Sequence, residues 1–360
     1  MASVIDQALP LGPIARFLIR DPSLGRLFAT RQRTAEALQL ASVELEKGRQ
    51  SDLGILLSTA ALHAGGRHLA GVRRLFEIAY AQATSQSTKA RLSYSMANNS
   101  RAAGDNRQAL SLYRRARLED PDYQLRSYWW AELAGCLFER GRLRASEQAY
   151  RIALLLDEST IPVRGLLGDV LLRRRRFLEA EVELEAYLDT DEPVLPGLVI
   201  TYFAARVLKE RFGPIGRARS SKALELEQTM PTNQTDAALH LSKLLDEDPL
   251  SALGWYNLAA CLRPTDRAKA AAAAVVTVTL APWDKEAWAL AVMGLPDSEY
   301  CAVALIAEAY RRLGSSLEEE IRRITPPGQD AESLVATRRD VYAASRDLFL
   351  TTSPITIRLS

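Results

Sequence analysis

Few side chains in this sequence are suited to catalysis or to metal binding. Its 360 residues include three histidines: His63 and His68 flank a Gly65-Gly66 pair, and His240 stands alone. No cysteine or carboxylate accompanies them at the spacing of a zinc site. The sequence therefore predicts no metal centre at these histidines.

The cysteines and the known catalytic motifs lead to the same expectation. Cys136, Cys261 and Cys301 are far apart in apolar helical contexts, so neither a CxxC metal motif nor a disulfide framework follows. The chain also contains no GxxxxGK[ST] phosphate loop, no GxGxxG after a strand, no HExxH and no GxSxG elbow. We expect a protein that is not an enzyme, without catalytic residues, cofactor or metal.

Two short acidic triplets offer the remaining metal-like pattern. Asp189-Thr190-Asp191 and Asp246-Glu247-Asp248 both stand where a helical segment ends, in register with Asp120-Pro121-Asp122. Asp is common in turns because its carboxylate accepts hydrogen bonds from nearby backbone N–H groups. Turn formation is the preferred interpretation, and metal binding is the alternative.

The strongest local charge is a run of four arginines, Arg173 to Arg176. Such a run could grip phosphates or an acidic partner. Alternatively, it forms a solvated helix end, where cations favour the helix dipole and the glutamates from 179 to 185 can pair with them. The whole chain carries 46 basic and 44 acidic residues, a net charge of +2, which argues against a protein that wraps nucleic acid.

Composition indicates a folded protein with a large core. Hydrophobic residues make up 48% and charged residues 25%, as in ordinary globular proteins. Arginine far outnumbers lysine and alanine is abundant, which hints at a GC-rich bacterial genome. Asp6 precedes any long apolar run, so a secretory signal peptide is not expected. The apolar stretch at 270–283 is shorter than the ~18 residues of a membrane span. We expect a cytoplasmic protein with no membrane span.

An internal repeat dominates the segment 88–193. A helical segment, a break and a second helical segment recur three times, with breaks at Gly104, Gly141 and Arg175, spaced 37 and 34 residues apart. Small side chains recur where paired helices must approach closely: Ala97, Ala109 and Ala116 in the first copy, and Ala134, Ser146 and Ala153 in the second. Glycine at a break permits a positive φ that ends the first helix.

This pattern resembles the tetratricopeptide repeat family, strongly at 88–193 and more weakly at 51–87 and 234–312. The resemblance implies an all-α, right-handed superhelical solenoid of antiparallel helix pairs. We expect an N-terminal helical cap at 1–50, repeats at 51–193, a degenerate junction at 194–232, further repeats at 233–313, and a C-terminal helical cap and tail at 314–360.

The resemblance also implies a binding surface, because these solenoids expose the first helix of each pair on their concave side. The candidate groove residues are Arg91, Asn98, Arg101, Glu132, Glu139, Asp169 and Arg173, although each could equally lie on a solvated helix face. Some family members clamp an acidic C-terminal peptide. Of the corresponding positions here only Asn98 matches, so that clamp is not expected.

The sequence thus favours a scaffold or adaptor that binds a peptide or helix of another protein in its groove. Two alternatives remain open: nucleic-acid or acidic-ligand binding through the arginine-rich ridge at 164–176, and a regulatory subunit of an enzyme complex whose catalytic domain is another chain. The identity of the partner and the oligomeric state do not follow from the sequence.

Overall fold

The computed structural model of the protein describes residues 69–158, 161–190, 194–229, 234–294, 300–345 and 348–349. The described residues fall into two compact units, one ending at Glu158 and the other beginning at Ile161. The expected cap at 1–50, the pair around Gly65-Gly66 and the tail after 349 lie outside the described residues.

The first unit consists of five α-helices and one 3₁₀ turn among the described residues. The 3₁₀ turn spans Pro121–Leu125. The α-helices are α1 (Leu69–Gln82), α2 (Gln86–Ala102), α3 (Asn106–Glu119), α4 (Ser127–Glu139) and α5 (Leu143–Leu156). Helices α2 and α3 pack as one pair, and α4 and α5 as the next.

The second unit continues with eleven α-helices over its described residues. They are α6 (Ile161–Arg173), α7 (Phe177–Leu188), α8 (Pro196–Phe212), α9 (Ser221–Gln228), α10 (Gln234–Glu247), α11 (Ala252–Leu262), α12 (Arg267–Leu280), α13 (Lys285–Gly294), α14 (Tyr300–Leu313), α15 (Ser315–Ile324) and α16 (Ala331–Ser345). No strand occurs in the described part of the chain, where Val194 and Phe349 form an isolated parallel bridge. The predicted all-α class is confirmed.

The helix pairs begin and end where the sequence predicts. Gly104 has φ 80°, Gly141 φ 69° and Arg175 φ 65°, so all three predicted breaks take the left-handed conformation that ends a helix. The next helix in the first pair is capped by Asp105, whose carboxylate accepts from the backbone N–H of Gln108 at 2.9 Å. The same turn geometry therefore recurs in three consecutive copies, once without glycine.

Small residues set the distance between paired helices. The side chains of Ala97, Ala109 and Ala134 are fully buried. In the third copy even alanine is too large, because a Cβ on Gly168 would stand 2.4 Å from Cγ of Leu184. The expectation of small residues at the close contacts is confirmed.

The segment 194–232, expected to be degenerate, contains two helices among its described residues. Helix α8 packs against α7, α12 and α14, and α9 packs against α10. Gly216 in the loop between them lies against Phe177, leaving no room for a side chain. Helix α8 therefore belongs to the core of the second unit, while the proposed domain boundaries stay a prediction.

Among the helices that the structure describes, none is long and apolar enough to span a membrane.

Candidate functional site

The five groove candidates of the first unit lie in different environments. Arg91 and Glu139 are exposed, and Arg101 is partly buried, with 29% of its side chain accessible. Asn98 and Glu132 are 6% and 2% exposed. The expectation that these first-helix positions face solvent is therefore wrong for Asn98 and Glu132, since α2, α3 and α4 enclose them.

A buried ion pair joins two of these candidates. Arg101 Nε lies 2.8 Å from Glu132 Oε2, and Oε1 of Glu132 has no hydrogen-bond partner in the described structure. Burial raises the pKa of Glu132 to about 7, although the Arg101 charge opposes the shift. Carboxyl and carboxylate forms of Glu132 therefore coexist near neutral pH.

Tyrosines close this site on the side of α3. The Tyr113 hydroxyl donates to Asn98 Oδ1 at 2.5 Å, and the Tyr94 ring contacts those of Tyr113, Tyr123 and Tyr128 at centroid distances of 5.8, 5.5 and 5.4 Å. Burial raises the pKa of Tyr113 well above its usual value. The hydroxyl is therefore neutral, and these contacts join α2, α3 and α4.

The two candidates of the second unit line a pocket instead. A cavity of about 320 Å³ opens between α6, α8, α12 and α14. One part of its wall is apolar, with Leu166, Leu195, Ile200, Val278 and Trp288, and another part is charged, with Asp169, Arg173, Glu308, Arg311 and Arg312. This cavity, here called the α6–α14 pocket, combines an apolar surface with fixed charges.

Asp169 and Arg173 occupy one side of the α6–α14 pocket. Arg173 Nε donates to Asp169 Oδ1 at 3.2 Å, and its Nη2 donates to the carbonyl oxygen of Thr279 at 3.0 Å. Burial raises the pKa of Asp169, and the Arg173 charge limits the rise. The guanidinium is held by helices α6 and α12, so its position is fixed before any ligand arrives.

The sequence did not predict the charged residues on the other side of the α6–α14 pocket. Glu308, 3% exposed, accepts hydrogen bonds from Arg311 and from Arg312, each at 2.6 Å. The Arg312 guanidinium also lies 5.8 Å from the Trp288 ring centroid. In the sequence this site is marked by a single glutamate in the apolar run of α14, followed by arginines three and four positions later. The repeat pattern does not single out these residues, because α14 matches the repeat poorly.

The arginine run 173–176 is largely committed to the protein itself. Arg175 donates to the carbonyl oxygen of Arg217 and to Asp248 Oδ1, both at 2.7 Å, and Arg176 pairs with Glu179. Arg173, Arg175 and Arg176 thus all have acceptors within the protein. This pattern fits the helix-end interpretation better than phosphate binding.

The remaining chemistry-bearing residues form no cluster in the described part of the chain. The ring Nε2 of His240 lies 2.7 Å from the carbonyl oxygen of Leu226, while His63 and His68 fall outside the described residues. Asp248 accepts from the backbone N–H of Leu250, as expected for a turn aspartate. Among the described residues, no three His, Cys, Asp or Glu side chains are grouped to hold a metal ion.

Comparison with known proteins finds similar chains among the solved structures. No family model and no curated protein matches the chain. Solved structures that it resembles include a tetratricopeptide repeat protein from Parabacteroides merdae, with 13% identity over 81% of this chain and 97% of that one and a TM-score of 0.40.

Two further structures carry ligand information in their descriptions. YrrB, described as having an unusual peptide-binding site, shares 15% identity over 57% of this chain and 90% of its own, with a TM-score of 0.31. The TPR2AB domain of yeast Sti1 in complex with pHSP90 shares 14% identity over 81% and 97%, also with a TM-score of 0.31. Likenesses this weak carry no argument about residue roles, which rest on the geometry above.

Proposed function

We propose that the protein is a non-catalytic interaction scaffold whose second unit binds a peptide segment of a partner protein in the α6–α14 pocket. The observation that carries this proposal is the placement of Asp169 and Arg173 on the wall of a cavity that also has an apolar side. A peptide offers both kinds of group, an apolar side chain for Leu166, Ile200 and Val278 and a polar group for the arginines.

The charges favour an acidic or amide-rich segment. Three guanidiniums and two carboxylates line the pocket, and each carboxylate already accepts from an arginine. The guanidinium N–H groups that remain are donors, so the complementary ligand supplies acceptors such as backbone carbonyls or carboxylates. The volume, about 320 Å³, is near the lower limit of roughly 300–1,000 Å³ for ligand pockets, which suits one or two side chains.

The groove residues predicted in the first unit differ in how accessible they are to a partner. Arg91, Arg101 and Glu139 are accessible enough to contact a partner. Asn98 and Glu132 could act on one only through the residues that cover them. Their role in partner binding therefore stays a prediction, and the α6–α14 pocket is the better-supported site.

Selection of a phage-displayed random dodecapeptide library on the full chain tests the proposal. Selected peptides should bind in solution, measured by fluorescence anisotropy, and the Asp169→Asn/Arg312→Gln variant should lose at least about tenfold in affinity. The control variant, Glu225→Gln/Arg114→Gln, makes the same chemical changes at exposed positions away from the pocket and should bind like the wild type.

Two outcomes would contradict the proposal. One is equal affinity of the pocket variant and the control for every selected peptide. The other is a selection that yields no binding peptide, together with retention of the chain on heparin that weakens with salt. If an Arg174→Gln/Arg176→Gln variant also loses this retention, the arginine-rich ridge becomes the better-supported site. A cytoplasmic location and a role as regulatory subunit of an enzyme complex are parts of this proposal that cell fractionation and copurification would test.

A further inference from the structure

A second cavity in the second unit has a different composition. It measures about 610 Å³ and lies between α11, α12, α13 and the start of α16. Its walls include alanines of α11 and α12 together with Leu290, Met293 and Leu334. We call it the α11–α13 pocket.

Two arginines are the only charged residues that line this cavity within the described structure. Arg263 and Arg267 both border it, and no carboxylate does. Arg263 donates one hydrogen bond, to the carbonyl oxygen of Ile324 at 3.3 Å. Neither guanidinium has an acidic side chain within ion-pair distance among the described residues.

Two neighbouring arginines, by contrast, have acidic partners. Arg322 pairs with Glu332 and Arg323 with Glu286 and Glu320. At the turn itself, Asp266 is engaged by Lys269 at 2.9 Å and does not line the cavity. Arg263 and Arg267 therefore place two like charges at one cavity without a counter-charge, and desolvation together with Arg267 lowers the pKa of Arg263.

The ligand that completes this arrangement must be both anionic and apolar. A neutral hydrophobic molecule would leave the two guanidiniums without a counter-charge, and a small inorganic anion would leave the alanine, leucine and methionine walls hydrated. A carboxylate is planar and accepts two parallel N–H bonds from a guanidinium. The volume lies within the range of roughly 300–1,000 Å³ that holds a small organic molecule.

We propose that the α11–α13 pocket binds a free monocarboxylic acid with an apolar body, such as a medium-chain fatty acid, its carboxylate on Arg263 and Arg267 and its chain along the apolar walls. This site is separate from the α6–α14 pocket, since the residues lining the two cavities do not overlap. It adds a small-molecule ligand to a chain otherwise proposed to bind peptides.

Isothermal titration calorimetry on the full chain with decanoate tests the proposal. Decanoate should bind at one site per chain. The Arg263→Gln/Arg267→Gln variant should lose at least about tenfold in affinity, because both charge-assisted contacts are removed. Arg114→Gln/Arg217→Gln, which removes two exposed arginines that do not line the cavity, is the matched control and should leave the affinity unchanged.

A variant without charge change separates the apolar half of the site. Ala260 lines the cavity from an exposed helix position, so Ala260→Phe should fold, as checked by circular dichroism, and should weaken decanoate at least about tenfold by filling the space. The pocket variant Asp169→Asn/Arg312→Gln should bind decanoate normally, so that failure of one site is distinguishable from failure of the other.

Several results would overturn the proposal. Decanoate that does not bind, or that binds the double arginine variant as tightly as the wild type, rules out the site. Equal affinity for acetate shows a bare anion contact without an apolar component. A leucine-ending tetrapeptide that binds where decanoate fails would show that the pocket takes a protein C-terminus instead.

Discussion

Glu132 on α4 and Asp169 on α6 are both predicted groove residues, yet they lie in different surroundings. Glu132 and Asp169 both lie on the first helix of a repeat pair, both have an arginine partner, and burial raises the pKa of both. Yet the Glu132 side chain is 1% exposed and enclosed by helices, whereas that of Asp169 is 19% exposed and lines a cavity.

The difference lies in what covers each pair, not in the residues themselves. Tyrosines from α2 and α3 fill the space beside Glu132. At Asp169 the neighbouring helix α8 begins with Pro196 and Gly197, which line the α6–α14 pocket, and a Cβ on Gly197 would stand 3.5 Å from Glu308 Oε1. A charged pair on a repeat helix is therefore enclosed or borders a cavity according to the side chains opposite it.

The first comparison removes the arginine of each pair. Arg101→Ala leaves Glu132 buried without a cation, but its pKa is already about 7, so at pH 8 the carboxyl can take up a proton and the loss should be about 1–2 kcal/mol. Arg173→Ala should cost clearly less, because Asp169 borders a cavity that water can enter. Urea unfolding at pH 8 measures both.

The double variant Arg101→Ala/Glu132→Gln serves as the control for that measurement. It removes the buried charge together with its partner and should recover most of the lost stability. Equal losses for Arg101→Ala and Arg173→Ala would mean that the two pairs do not differ as described.

The second prediction concerns pH. The pKa of Glu132 is about 7 in the folded chain against 4.5 for an unperturbed glutamate. Between pH 4.5 and pH 7 the folded chain therefore keeps a proton on Glu132 that the unfolded chain has released. Stability contributed by the protonated form is complete below pH 4.5 and is lost as pH rises through 7. The wild type should therefore lose about 3 kcal/mol of unfolding free energy across this window relative to Glu132→Gln.

Comparison of wild type with Glu132→Gln at each pH isolates this residue, because Asp169 and all other titrating groups are shared. Unfolding-free-energy curves that run parallel from pH 4.5 to pH 8 would show that Glu132 is not desolvated as the structure indicates.

The repeat could be predicted from the sequence because its spacing is set within one helix pair. The site was harder to predict because it depends on helices that are far apart in the chain. The breaks at Gly104 and Gly141 and the small residues at Ala109 and Ala134 follow from spacing along one helix pair. Burial of Glu132 depends on Tyr113, and the α6–α14 pocket depends on α14, more than a hundred residues from Asp169. Periodicity within a pair contains no information about such distant neighbours.

Arg175 illustrates the same limit within one turn. The spacing predicted a break there, but not why a non-glycine residue is tolerated at φ 65°. The structure supplies the reason, because its side chain crosses to the carbonyl oxygen of Arg217 and to Asp248. These contacts offset the cost of the left-handed conformation, on the order of 1–2 kcal/mol.

Exchanging the turn residues of the two units should give the next largest effects. Gly141→Arg should destabilise by about 1 kcal/mol, because a side chain there meets nothing within 4 Å and only strains the backbone. Arg175→Gly should also cost about 1 kcal/mol, since a charge-assisted hydrogen bond worth about 1.5–3 kcal/mol is lost while strain is relieved. Thermal melts would measure both, and a more stable Arg175→Gly would mean that the strain outweighs the contacts.

The smallest expected change in stability is at Asp169, and it completes the comparison with Glu132. Asp169→Asn keeps an acceptor for Arg173, which retains its bond to the Thr279 carbonyl oxygen, and the amide carries no charge whose burial is unfavourable. The unfolding free energy should stay within about 0.5 kcal/mol of wild type and should show no pH-dependent difference as large as that of Glu132→Gln. A loss approaching that of Arg101→Ala would mean that Asp169 holds the second unit together as Glu132 holds the first. The cavity beside it would then be a by-product of packing, and the selected peptides should bind elsewhere. A silent effect on stability joined to a changed peptide affinity is the combination that separates a binding residue from a structural one.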